Sequence, residues 1–219
     1  MPTIKSCPDM MEAIRSIGLL PLLDSGIRGF SADELVDPEC RYVMTDDGWK
    51  WPLWEWKGPM VTEGHFAYGK FFGGKAGFVT MEWWGDLCNW RRARYPEPSE
   101  DTVEGIILDV IRVNGSMITR DLRAACGFTG SKMRSRFDSY VTRLQMACRL
   151  VTEDFVYPKD KHGNNYGWGW ALLNTPEHLF GREACQCDRA PDESRERILA
   201  HLRTLVPQAS EKQLQKLVG

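Results

Sequence analysis

The 219-residue chain has no run of 18 apolar residues, so it offers no helix for spanning a bilayer. Its start, Met1 to Met11, lacks a basic stretch followed by an apolar one, and no secretory leader is expected. A disulfide framework is missing too. The seven cysteines (Cys7, Cys40, Cys88, Cys126, Cys148, Cys185 and Cys187) are an odd set scattered through apolar stretches. That usage fits buried thiols in a reducing compartment, and a cytoplasmic location is expected. Cys185-x-Cys187 is the one close pair, with His178 and His201 the nearest histidines, and no second pair follows at zinc spacing. No metal is therefore expected. Two nucleotide-binding patterns stop short. Gly69-x₄-Gly74-Lys75 is followed by Ala76 and not by a Mg²⁺-binding hydroxyl, and Gly167-Trp168-Gly169 lacks the third glycine and a following helix. No nucleotide or other cofactor is expected.

The excess is in tryptophan. Seven of nine lie between Trp49 and Trp90, four of them in the run Trp49-Lys50-Trp51-Pro52-Leu53-Trp54-Glu55-Trp56. Such rings either fill a core or line a cleft in which a base stacks. The net charge of −2, from 28 basic and 30 acidic residues, hides an asymmetry. Residues 1–60 carry six basic and ten acidic side chains, whereas Arg112 to Arg149 carry eight basic and two acidic.

Punctuation divides the chain into three parts: residues 1–96, a tryptophan-rich N-terminal domain; 97–181; and 182–219, a C-terminal helical tail. In the first part, Met10 to Leu20 reads as a helix, Ser31 caps another, Gly73-Gly74-Lys75 turns a hairpin, and Glu82 to Arg94 reads as a helix. In the second, Ser99 caps a helix carrying Val103, Ile106, Ile107, Val110 and Ile111, and Thr119 caps a short one. A third helix opens at Ser131, with Met133, Phe137, Tyr140, Val141, Leu144 and Cys148 on one face. Two β-rich runs around Lys159 to Asn165 then form a hairpin. Helix, helix, helix, hairpin is the order of a winged helix-turn-helix. Its third helix aligns Lys132, Ser135, Arg136, Ser139 and Arg143 opposite the core stripe, a face suited to phosphates and base edges. Arg91 and Arg92 at a helix end and Lys161 in the hairpin turn join them as candidate nucleic-acid contacts. The same face would also serve as a plain solvated surface or meet a protein partner. In the tail, Ile198, Leu202 and Leu205 make an amphipathic stripe that either packs on the body or dimerises.

The segment from Trp54 to Arg92, with Trp54-Glu55-Trp56, Gly69-Lys70-Phe71-Phe72-x-Gly74-Lys75-Ala76-Gly77-Phe78-Val79, Leu87 and Trp90-Arg91-Arg92, resembles the AlkZ-related group. Members of this group are similar to AlkZ, a bacterial tandem winged-helix DNA glycosylase that excises alkylated bases and unhooks interstrand crosslinks. The resemblance covers about residues 8–181. It implies an α+β fold rich in winged helices, DNA as the partner, no metal and a cytosolic repair setting. It also exposes a departure. The active glycosylases carry Gln-x-Gln or Gln-x-Asp after the first helix to position the hydrolytic water. Here Pro21 and Leu23 occupy those places. Gln213-x-Gln215 lies in the tail and reads as coincidence. Asp24, just beyond the lost motif, and Glu55, where neighbouring tryptophans would raise its pKa, are the remaining catalytic candidates; a turn residue and a structural hydrogen bond are their plainer readings. The leading expectation is a DNA-binding protein without glycosylase activity. The alternatives are a divergent glycosylase and a protein-interaction module.

Overall fold

The computed structural model describes residues 4–46, 48–130, 133–163, 165 and 167–219. The fold is mixed α+β. Its first half opens with α1 (Cys7–Ile17), capped by Ser6, and β1 (Leu19–Pro21). The expected helix over Met10 to Leu20 thus ends three residues early. Gly18 sets the stop: its φ is +81°, and a Cβ there would stand 2.4 Å from Trp83 Cδ1, so only glycine fits. Short α2 (Ala32–Leu35) and α3 (Pro38–Arg41) lead to a small hairpin of β2 (Val43–Thr45) and β3 (Gly48–Lys50). Next come α4 (Pro52–Thr62), β4 (Ala67–Phe72), β5 (Lys75–Val79) and α5 (Met81–Arg94). Gly73 and Gly74, at φ +60° and +83°, make the tight turn between β4 and β5. These strands and β1 form an antiparallel sheet in the order β1-β5-β4.

The second half contains α6 (Val103–Asn114), β6 (Met117–Ile118), α7 (Thr119–Ala125), α8 (Arg134–Met146), β7 (Val151–Val156) and β8 (Trp170–Asn174), with an antiparallel sheet in the order β6-β8-β7. The cap of α6 is Thr102, whose hydroxyl accepts from Gly105 N, and not Ser99, whose carbonyl instead anchors the Thr102 side chain. Ile107, Ile111, Leu122, Phe137, Val141, Leu144 and Leu173 close a core of this half's own. The expected helix start at Ser131 lies outside the described residues.

The tail does not stand apart. After α9 (Pro176–Phe180), α10 (Pro191–Leu205) and α11 (Glu211–Val218) return to the first half. Ile198, Leu199, Leu202, Leu214 and Leu217 enter the same core as Met10, Phe71 and Trp84. Asp86, nearly buried on α5, receives Ser194 Oγ at 2.8 Å, Arg189 Nη1 at 3.3 Å and Arg197, which ties α10 to α5. Hydrogen bonding to Ser194, Cys187 and Arg197 holds its carboxyl below the usual range against the opposing effect of burial. Among the described residues, no helix is long and apolar enough to cross a membrane.

Arg91 corrects an expectation. It is 1% exposed and cannot reach nucleic acid. Its guanidinium donates to Phe71 O at 2.8 Å, Met146 O at 3.2 Å and, more weakly, Leu217 O at 3.5 Å. One side chain thereby ties β4, the end of α8 and α11. Arg92 is committed as well, to Glu177 at 2.6 Å and Cys148 O at 2.6 Å. Replacing Arg91 by Met leaves those carbonyls without their donor, and a loss of about 3 kcal/mol is expected in urea unfolding. A change below about 0.5 kcal/mol would show that the buried guanidinium is not a tie.

Candidate functional site

A cleft of about 590 Å³ lies where the two halves meet, within the roughly 300–1,000 Å³ range of small-ligand sites. The first half supplies Leu22, Leu23 and Asp24 beyond β1, Trp54 from α4, and Tyr68, Gly69 and Lys70 from β4. The second half supplies Thr119 from α7, Asp138, Val141 and Gln145 from α8, and Phe155 from β7. The halves are locked at the cleft by polar contacts. Lys70 Nζ donates to Thr142 Oγ1 at 3.1 Å, and Lys70 N donates to Gln145 Oε1 at 3.2 Å.

The tryptophans divide between the two uses expected of them. Trp83, Trp84 and Trp90 are core. Trp83 stacks on His201 at 4.2 Å, and Trp90 Nε1 donates to Gly219 O at 2.8 Å, so two of them also receive the tail. A second group forms a ladder of rings, of which Trp54 lines the cleft. Tyr42 and Trp51 rings lie 6.3 Å apart, Trp51 stacks on Trp54 at 5.5 Å, and Trp168 meets Trp54 edge-on at 4.8 Å. Trp168 is 68% exposed, and Trp54 Nε1 is buried with no hydrogen-bond partner. Trp49 is exposed on the small hairpin.

Lys57, one turn beyond Trp54, is 1% exposed. Its Nζ lies 3.1 Å from the Trp54 ring centroid and 4.0 Å from that of Phe155. Both rings are cleft walls. Burial pushes the Lys57 amine down to about 7.

The segment from Pro21 to Leu23 is apolar. Pro21 is buried on β1 opposite Gly77, while Leu22 and Leu23 face the cleft. Asp24 reaches the rim, yet its carboxylate accepts from Gly26 N at 2.8 Å and pairs with Lys75 at 3.6 Å. The Gly26 N–H first, and Lys75 second, hold it below the usual carboxylate range, so it is a weak base and a turn anchor. Glu55 is exposed and is not among the cleft's walls, so the desolvation expected for it does not arise. Gln213 caps α11 with Ser210 and donates to Gly26 O at 2.6 Å, which is structural work.

The polar face expected on the third helix is present in part. Ser135, Arg136 and Ser139 are exposed on α8, although Ser139 Oγ bonds back to Ser135 O. Arg143 is taken up by Glu104, at 2.8 and 2.6 Å, and lies over Tyr140. Lys161 is exposed in the β7–β8 connection, and Lys132 lies outside the described residues. Reading by helical face missed the more concentrated group: Arg120, Arg123 and Arg134 line a recess of about 200 Å³ that shares Thr119 and Asp138 with the cleft. Arg120 lies over Trp170 at 4.9 Å, and Arg134 is 4.0 Å from Asp138. All three arginines belong to the basic stretch visible in the sequence; their convergence depends on the turn between α7 and α8.

The Lys57 setting generates a pH dependence. Below pH 7 the amine is protonated in the native and unfolded chain alike, and the full burden of a buried cation weighs on the fold. Between pH 7 and the ordinary 10.5 the native state has released a proton that the unfolded state keeps, so stability rises with pH. Lys57→Met is expected to be more stable than wild type at pH 6, with that advantage shrinking at pH 9 in parallel urea titrations. An advantage equal at both values would contradict a buried titrating amine.

No curated protein and no solved structure matches the chain. A family model described as AlkZ related matches residues 4–219. The match reaches past the middle block into α11, the same helix that the buried Arg91 holds to the body, and over that whole length the chain belongs to the AlkZ-related family.

Proposed function

We propose that the protein binds DNA, with α6 to β8 working as a winged helix and the cleft receiving an unpaired base, and that it does not hydrolyse glycosidic bonds. The observation that carries this reading is the continuity of two chemistries. An arginine-lined recess suited to phosphates opens, through Thr119 and Asp138, onto a cleft walled by Trp54, Tyr68 and Phe155. Each stacked base contributes about 1–3 kcal/mol on such rings, and the buried Trp54 Nε1 is a donor still without an acceptor. The absence of hydrolysis is supported by Leu22 and Leu23 lining the cleft beside a buried Pro21, none of which orients water. A second reading, a protein-interaction module, draws on the exposed Tyr42, Met44 and Trp49 around the small hairpin.

Fluorescence anisotropy with labelled single-stranded and duplex oligonucleotides at 50 and 200 mM salt separates these. Binding that weakens steeply with salt is expected, reduced at least tenfold by Arg120→Glu with Arg134→Glu and by Arg136→Glu. Arg143→Glu is expected to matter less, since Glu104 already neutralises that cation. No release of bases from alkylated DNA is expected. Absence of binding to either oligonucleotide at 50 mM salt, or binding indifferent to these arginines, would overturn the DNA reading; base release would overturn its non-hydrolytic part.

A further inference from the structure

Lys57 has a role that neither family membership nor DNA binding assigns. A lysine with 1% exposure ordinarily has a carboxylate or carbonyl partner. This one has two aromatic ring faces, Trp54 at 3.1 Å and Phe155 at 4.0 Å, and its depressed affinity for protons comes from desolvation alone. The other two lysines at the cleft differ. Lys70 Nζ is bonded to Thr142, and Lys75 Nζ to Asp24 through its carbonyl at 2.5 Å and its carboxylate at 3.6 Å. A lysine desolvated among apolar groups is the arrangement that makes an amine nucleophilic at neutral pH.

We infer that Lys57 captures an aldehyde presented in the cleft as a Schiff base, the substrate class being the open-chain deoxyribose of an abasic site in DNA. This rests on the reading that the cleft accepts a nucleotide. The amine stands one ring behind the cleft surface, so capture requires the Trp54 indole to swing aside; the ring gives up its contacts with Trp51 and Trp168 in doing so, but no Nε1 hydrogen bond. An abasic nucleotide lacks the base that would otherwise stack on that indole, which leaves room for C1′ to approach. The neutral amine adds its lone pair to the C1′ carbonyl carbon, and a nitrogen proton passes to the oxygen to give a carbinolamine. The remaining nitrogen proton then passes to that oxygen, which leaves as water as the C=N bond forms. No oxidant, reductant or hydrolytic water is required, which is consistent with a site whose water-orienting amides are replaced by Pro21 and Leu23.

The test is reductive trapping of the full-length protein with borohydride, on oligonucleotides carrying one abasic site and on matched intact ones, followed by peptide mapping. A one-to-one covalent complex on abasic DNA only, with the adduct on Lys57, is expected. Lys57→Arg and Lys57→Met are expected to lose trapping at least twentyfold while retaining oligonucleotide affinity. Mapping of the wild-type adduct decides the matter even where a variant folds poorly. Binding of abasic DNA without trapping, or an adduct mapped to Lys70 or Lys75, overturns this inference and leaves the DNA reading standing. Failure to bind abasic DNA at 50 mM salt overturns both.

Discussion

The structure turns on one buried cation. The Arg91 guanidinium finds its acceptors on three separated stretches of chain, at Phe71, Met146 and Leu217. Its two terminal nitrogens donate to these carbonyls while the buried Nε has no partner, and the carbonyl bonds draw β4, the end of α8 and α11 to one point. Fixing β4 against α8 also brings Lys70 to Thr142 and Gln145, and the cleft forms beside that contact. On α5, Arg91 fastens the second half, while Asp86 fastens α10 through Ser194, Arg189 and Arg197. α5 is therefore the post to which the second half and α10 are attached.

The same constraint divides the cations by use. Arg91, Arg92 and Arg143 are engaged with carbonyls or carboxylates and serve the fold. Arg120, Arg123, Arg134 and Arg136 lie on or beside the exposed surface of α7 and α8, Arg120 beside Asp121 at 2.9 Å and Arg134 beside Asp138 at 4.0 Å, and on these the proposed attraction for phosphate depends. A net charge near zero is compatible with such a surface because the first sixty residues carry the compensating acids. The tryptophans are divided in a similar way, Trp83 and Trp90 receiving the tail and Trp54 walling the cleft.

Local chemistry was legible in the sequence and convergence was not. Gly73-Gly74 between two apolar runs is a hairpin by turn geometry alone, and Phe137, Val141 and Leu144 are buried at the helical spacing that announces them. The Ile198 and Leu202 stripe was readable as a face needing cover; that α5 supplies the cover follows from Asp86, whose partners lie over a hundred residues away. Arg91 and Arg92 looked like a cationic helix end because nothing local reveals that carbonyls from β4 and α8 surround them. Lys57 offered a faint signal, a lysine three residues after Trp54 in an aromatic helix, but its second ring comes from β7. Asp24 was readable as a turn residue, and the structure keeps it one.

In the proposed DNA-binding mode the cleft and its arginine recess form one surface for a nucleic-acid strand. Hydrogen–deuterium exchange of the full chain, with and without a single-stranded oligonucleotide at 50 mM salt, tests it most directly. Slowed exchange is expected together in the segments holding Leu22 to Asp24, Trp54 and Lys57, Thr119 to Arg123 and Arg134 to Asp138. Protection confined to the Val43–Lys50 hairpin, or no protection at either the cleft or the recess, would contradict it.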